Sequence, residues 1–150
     1  MIRRRLDTDL DACAAVLAEV HTRSGYPHHW PVDPAAWLAA EAPAAAWVAE
    51  LDGRVVGHAA LRGAEISRLY VAPGARGRGL GRLLLQAAAG EAADRGLRPV
   101  LEVLSSDTSA IALYERLGWI RTGSERQDWG AGEEVEVHHY AAPGPSGQHS

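Results

Sequence analysis

The spacing of apolar residues changes several times along the chain, and each change marks an element. Residues 2–6 open with a short strand. Leu10, Cys13, Ala14, Leu17 and Val20 then recur at i, i+3, i+4 and i+7, which gives a helix one apolar face. Asp7 or Thr8 is expected to cap it, because a side-chain oxygen accepts from the free amides of a first turn, and Gly25 to end it. Tyr26-Pro27-His28-His29-Trp30-Pro31 has no period and reads as an irregular loop. Asp33-Pro34 is a cap followed by proline at the first helical position, opening a short helix through Trp37 and Leu38.

A hairpin follows. Residues 45–51 and 54–61 are apolar, β-rich runs joined by Asp52-Gly53, a pair suited to the positive φ of a two-residue turn. Residues 65–71 form a third central strand. The run 81–94 reads as a helix, with Leu83, Leu84, Ala87 and Ala88 apolar and Gly96 past its end. Residues 99–104 are a strand. Asp107 or Thr108 caps a further helix through Leu117, stopped by Gly118, and residues 119–124 and 134–140 read as a last strand pair. The order is βααβββαβαββ. Helices between strands argue for an α/β (α+β) fold, a single mixed sheet flanked by helices and parallel where 65–71 meets 99–104. One domain over 1–140 and a flexible tail over 141–150, rich in Pro, Gly and Ser, are expected.

Composition narrows the class. With 47% hydrophobic and 23% charged residues, the 150-residue chain is that of an ordinary globular domain. No apolar run approaches the ~18 residues that span a membrane, and the start, Met1-Ile2-Arg3-Arg4-Arg5, lacks the apolar core of a signal peptide. Cys13 alone makes neither an internal disulfide nor a zinc site. These points lead to the expectation of a cytoplasmic protein without a membrane partner. A net charge of −4 gives no global field for nucleic acid. All 15 Lys and Arg residues are arginine, which excludes the lysine of a phosphate-binding GxxxxGK[ST] loop, a lysine Schiff base and pyridoxal phosphate attachment.

The stretch that carries chemistry runs from Leu69-Tyr70-Val71 through Pro73 to Arg76-Gly77-Arg78-Gly79-Leu80-Gly81-Arg82, from a strand into a helix start. Alternating glycines let the backbone approach a ligand. A helix N-terminus carries positive partial charge, worth about 0.3–1 kcal/mol to an anion at an exposed site, and Arg76, Arg78 and Arg82 add full charges. Such a segment suits a phosphate or pyrophosphate. The dinucleotide fingerprint GxGxxG is not met, since the glycines fall at Gly77, Gly79 and Gly81 and the strand is the fourth rather than the first.

Val71-x-Pro73-x-x-Arg76-Gly77-x-Gly79-x-Gly81, with Leu83-Leu84 after it, resembles the acyl-CoA pyrophosphate loop of the GNAT superfamily of N-acetyltransferases. Leu101-Glu102-Val103 and the block Ala110-Ile111-Ala112-Leu113-Tyr114-Glu115-Arg116-Leu117-Gly118-Trp119 resemble that family's late strand and tyrosine-bearing helix. The resemblance implies an acetyl-CoA-dependent N-acetyltransferase. Leu69, Tyr70 and Val71 would carry a bulge whose backbone bonds the pantetheine arm, residues 76 to 82 would hold the pyrophosphate, and Tyr114 would act as general acid beside the sulfur. Two positions depart from the pattern. Asp107 stands where the family often has an asparagine that contacts the cofactor, and a carboxylate cannot donate, so capping its helix is its expected role. Trp119 replaces the usual phenylalanine and reads as packing.

The implied reaction is attack of a primary amine on acetyl-CoA, needing no metal. Two carboxylates compete for the base: Glu65, which opens the strand leading to the bulge, and Glu102, which alternation places on the face opposite Leu101 and Val103. His28, His29 and Trp30 lie in the loop that, by the resemblance, lines the acceptor site. His138 and His139 are adjacent on a strand, point to opposite faces and do not form one metal site by simple alternation. The acceptor is expected to be a small-molecule amine, with a peptide N-terminus as the alternative. A non-catalytic acyl-CoA sensor is a second class and a nucleotide-binding protein a third. Only the resemblance suggests a homodimer.

Overall fold

A computed structural model describes residues 1–27, 29–39, 45–128 and 132–143. The elements follow the expected order: β1 (Ile2–Arg4), α1 (Leu10–Ser24), α2 (Pro34–Ala39), β2 (Ala45–Leu51), β3 (Arg54–Arg62), β4 (Glu65–Val71), α3 (Leu80–Asp94), β5 (Val100–Leu104), α4 (Thr108–Arg116), β6 (Ile120–Asp128) and β7 (Glu134–Ala141), with 3-10 turns at Asp7–Asp9 and Pro73–Ala75. The seven strands make one sheet in the order β1-β2-β3-β4-β5-β7-β6. Every neighbouring pair is antiparallel except β4 and β5.

Several boundaries differ from the sequence reading, each for a physical reason. The first strand ends at Arg4, and neither Asp7 nor Thr8 caps α1. Asp9 is buried instead, accepting from the Leu6 amide at 2.7 Å and from both terminal nitrogens of the Arg3 guanidinium at 2.8 and 2.9 Å. That carboxyl is held below its usual range, chiefly by Arg3. The last strand pair is longer than expected. The ladder of β6 with β7 continues to Asp128 opposite Glu134, through a Glu-Arg-Gln-Asp run with no apolar face to reveal it. Ala141 and Ala142, assigned to the tail, are buried, and the Ala142 amide bonds Pro99 O at 2.9 Å. Residues 144–150 of the expected tail lie outside the described residues.

Helices α1 and α3 cover opposite faces of the sheet, as two neighbouring residues of β3 show. A side chain at Gly57 would point at Leu84 of α3. His58 points the other way, its ring stacked 5.4 Å from Tyr70, whose hydroxyl donates to Cys13 O of α1 at 2.9 Å. Adjacent strand residues alternate faces, so the two helices sandwich β3 and β4. Leu80, Leu84, Leu85, Ala88 and Ala92 are the buried side of α3, while Leu83, one of the apolar residues that marked the helix, is 39% exposed. Cys13 is fully buried, and burial pushes its thiol up to about 11. No helix among the described residues is long and apolar enough to cross a membrane.

Close contact of α3 with the sheet depends on Gly57. A Cβ there would meet Leu84 Cδ1 and the backbone oxygen of Tyr70, each at 3.0 Å. Gly57→Ala should therefore cost about 1–3 kcal/mol through overpacking, measured by urea unfolding. A variant as stable as the parent would show that α3 is free to move away from the strand.

Candidate active site

Strands β4 and β5 pair at one position, Glu65 with Val100. The Val100 amide also reaches Ala64 O at 2.9 Å. Beyond that apex the parallel strands have no ladder, so the inner edge of β4 after Glu65 keeps backbone donors and acceptors for something other than β5. A wedge between two strands can take an extended ligand by the same main-chain bonding that adds a strand to a sheet.

The open end of β4 carries a bulge. Arg68 and Leu69 together face Ala59, as the register shifts between His58 and Ala60. Arg68 has φ of 51°, a left-handed conformation that costs a non-glycine residue on the order of 1 kcal/mol. Three contacts hold it. His58 Nδ1 donates to Arg68 O at 2.8 Å, Arg68 Nε donates to Trp37 O at 2.9 Å, and the guanidinium lies 4.3 Å over the Trp37 ring. The tautomer of His58 follows from its other nitrogen, which faces an Arg5 guanidinium at 2.9 Å and can only accept from it. Burial then pushes the His58 imidazole down to about 4, against the bond to Arg68, so the ring is neutral at pH 7.

Past the bulge, the Pro73–Ala75 turn leads into α3. Gly77 and Gly79 have φ of 81° and 75°, and a Cβ on either would meet nothing within 4 Å. Gly79 is the N-cap of α3 and supplies no side-chain cap. Ala75 and Arg76 N–H bond back to Ala72 and Pro73, and Leu83 N–H to Gly79 O at 3.1 Å. The amides of residues 77–82 find no backbone acceptor among the described residues. Arg76 folds toward the loop's root, donating to Val71 O at 3.4 Å and Ser24 Oγ at 3.3 Å. Arg78 and Arg82 are exposed. An uncapped helix start beside two open cations suits a polyanion.

Asp107 caps α4, its carboxylate accepting from Ala110 N–H at 3.2 Å. Tyr114 is buried between the rings of Trp119 and Tyr140, at 6.2 and 6.1 Å. Burial raises its hydroxyl above the ordinary tyrosine value, with Asp107 and Tyr26 adding to the rise. On β5, Leu101 and Val103 are buried and Glu102 is exposed on the other side. Glu65, Glu102, Thr122 and His139 line one shallow, open depression. Glu102 lies two residues past the apex, on the side where the strands part; Glu65 sits at the apex itself.

A family model for the acetyltransferase (GNAT) family matches residues 11–119. The chain belongs to the GNAT acetyltransferase family. Solved structures agree with this placement of the fold. The ribosomal-protein-alanine N-acetyltransferase of Brucella melitensis is 26% identical, with a TM-score of 0.74 over 94% of this chain and 98% of that one. The ribosomal-protein-S18-alanine N-acetyltransferase of Escherichia coli is 25% identical, with a TM-score of 0.74 over 95% and 92%. The yncA protein of Salmonella typhimurium, solved with its cofactor acetyl-CoA, is 26% identical, with a TM-score of 0.72 over 94% and 91%. A search of curated proteins finds no match.

Of the residues singled out from the sequence, those on the β4–α3 segment of this GNAT scaffold follow one another past the apex, while both glutamates line the depression over β5, β7 and β6, which neither residues 69–82 nor Tyr114 line. The bulge centres on Arg68 and Leu69, and the Tyr70 side chain is packed into the core. His28 lies outside the described residues. His29 faces Glu133 at 3.6 Å, and Trp30 rests 5.0 Å from His21. Sequence reasoning missed Arg68, a residue whose left-handed backbone no local pattern announces. It also missed Tyr26. Assigned only to a loop, this tyrosine packs 6.4 Å from Trp37 and 6.3 Å from Tyr70, with its hydroxyl pushed up to about 12 by burial.

Two outcomes follow from this geometry. Gly79→Val forces a β-branched residue into positive φ and fills the space before the free amides. It should lower coenzyme A affinity at least tenfold by calorimetry, and undiminished affinity would remove the loop from the site. Because folded His58 has a depressed pKa, the unfolded chain binds its proton first, and stability falls as pH drops from about 6.5 toward 4. The loss between pH 7.5 and 5 should be about 2 kcal/mol in urea unfolding, and His58→Gln should flatten that slope.

Proposed function

We propose that the protein transfers the acetyl group of acetyl-CoA to a primary amine by direct attack. The observation that carries this reading is the row of amides over residues 77–82, which have no backbone acceptor among the described residues, at the open end of the β4–β5 wedge. Those amides, with Arg78 and Arg82, would hold the diphosphate. The free edge of β4 at Leu69, Tyr70 and Val71 would bond the pantetheine arm along the wedge. Asp107 keeps its capping bond and would add no donor toward the cofactor.

An alkyl amine near pKa 10.4 reaches its nucleophilic form at pH 7 at a cost of roughly 4–5 kcal/mol. Glu102 is the base this arrangement favours, being exposed, past the apex and on the open face. Glu65 is the alternative. As the new C–N bond forms and the C–S bond breaks, Tyr114 would donate to the departing sulfur. Its raised pKa keeps it protonated across the working range but makes it a weak acid toward a thiolate near 8.5. Hydrogen bonding rather than full proton transfer is then its contribution, at the low end of general-acid effects.

The first reading of the acceptor is a small-molecule amine. A peptide α-amine is the second, favoured by the two ribosomal-protein-alanine N-acetyltransferases of similar fold. An α-amine near pKa 7.7–8 costs only about 1 kcal/mol to deprotonate at pH 7 and leans less on a base. Thiol release from acetyl-CoA with a panel of small amines and N-terminal peptides decides between them. Tight coenzyme A binding without turnover on either set would leave a sensor rather than an enzyme.

Tyr114→Phe should lower kcat about tenfold to a hundredfold with acetyl-CoA affinity unchanged, and should remove no limb from the pH profile below pH 10. Glu102→Gln should abolish the acidic limb of the pH–rate profile while Glu65→Gln keeps it. The reverse pattern would move the base to Glu65.

A further inference from the structure

His139 lies directly across the β5–β7 ladder from Glu102, and its two ring nitrogens face different carboxylates. Nε2 is 2.7 Å from Glu125 Oε1 on β6, and Nδ1 is 3.6 Å from Glu102 Oε2 on β5. Glu65 of β4 lines the same depression, while on β7 the neighbouring His138 is turned away and meets Ser124 Oγ at 2.7 Å. Glu102, Glu125 and His139 are close enough to resemble a metal cluster. One oxygen of each carboxylate and one ring nitrogen lie within 4.8 Å of one another, but two of the three residues are exposed glutamates, a grouping common without any ion, and the cluster carries no metal assignment.

The unequal distances have a simple chemical reading. A ring protonated on Nε2 donates to Glu125 at 2.7 Å and leaves Nδ1 3.6 Å from the Glu102 carboxylate, outside hydrogen-bond distance until Glu102 takes up a proton. We propose that His139 is the proton outlet and positioning residue of Glu102, a role that rests on Glu102 being the base. Glu102 takes a proton from the acceptor ammonium and becomes the neutral acid. It then passes that proton to His139 Nδ1, while the Nε2 proton moves to Glu125 and on to solvent. One proton enters and one leaves, and Glu102 returns to the carboxylate. Glu125, at 50% side-chain exposure, is more open to solvent than Glu102 at 43% or His139 at 32%, so the exchange completes there.

His139→Ala should lower kcat at least tenfold at pH 7, leave KM for acetyl-CoA unchanged, and regain several-fold activity with added imidazole. Imidazole should do nothing for Glu102→Gln, and His139→Gln, which can donate to Glu125 but cannot relay, should stay impaired. Activity of His139→Ala within twofold of the parent, no response to imidazole, or full activity of His139→Gln would each overturn the proposal. If Glu102→Gln itself turns over normally, the base assignment fails and this role with it. If Glu102→Gln is impaired and His139→Ala is not, only this role fails. Nitrogen-15 spectra of the parent protein give an activity-independent check: the neutral ring should carry its proton on Nε2, and a proton on Nδ1 would refute the relay.

Discussion

One residue too many in β4 governs the architecture. Arg68 has no place in the ladder with β3, so the strand buckles there into a left-handed turn. A bulge bends its strand and increases local twist, and β4 meets β5 only at the Glu65–Val100 apex on the far side of it. The open wedge therefore requires the bulge to persist. It persists because His58 stays neutral in the core, donating a hydrogen bond to Arg68 O and accepting one from Arg5. Trp37 of α2 completes the clamp from the other end of the Arg68 side chain. A strained backbone conformation, a buried imidazole and a short helix thus form one device.

The anion-binding end obeys a different logic. With no lysine in the chain, fixed positive charge must come from arginine, and Arg76 is engaged with Val71 O and Ser24. The backbone supplies the remainder. Amides at an uncapped helix start are positioned by the fold, lose no side-chain entropy on binding, and cannot be displaced by rotation about χ angles. Glycines at 77 and 79 let the chain present them.

Much of this was legible along the chain. The Asp52-Gly53 turn, the capping by Asp33 and Asp107, and the faces of Leu101, Glu102 and Val103 followed from local rules, because each depends on residues within a turn or a strand repeat. Trp119 is packed as its apolar character implied. Legibility ended where partners come from distant segments. Arg3 and Asp9 are close in sequence, yet their pairing displaced the expected caps only because Asp9 became buried. The extension of β6 to Asp128 has no apolar signature and exists because β7 lies beside it.

By itself the sequence determined the order of elements, the helix start rich in glycine and arginine, and the candidate glutamates and tyrosine, all written in short-range periodicity and residue chemistry. Tertiary structure alone decided that β4 buckles at Arg68, that Tyr26 packs beside Tyr70, and that His139 faces Glu102. Each of those pairings joins residues far apart in the chain, and strand register, which one inserted residue shifts by a full side-chain alternation, is settled only when the whole sheet packs.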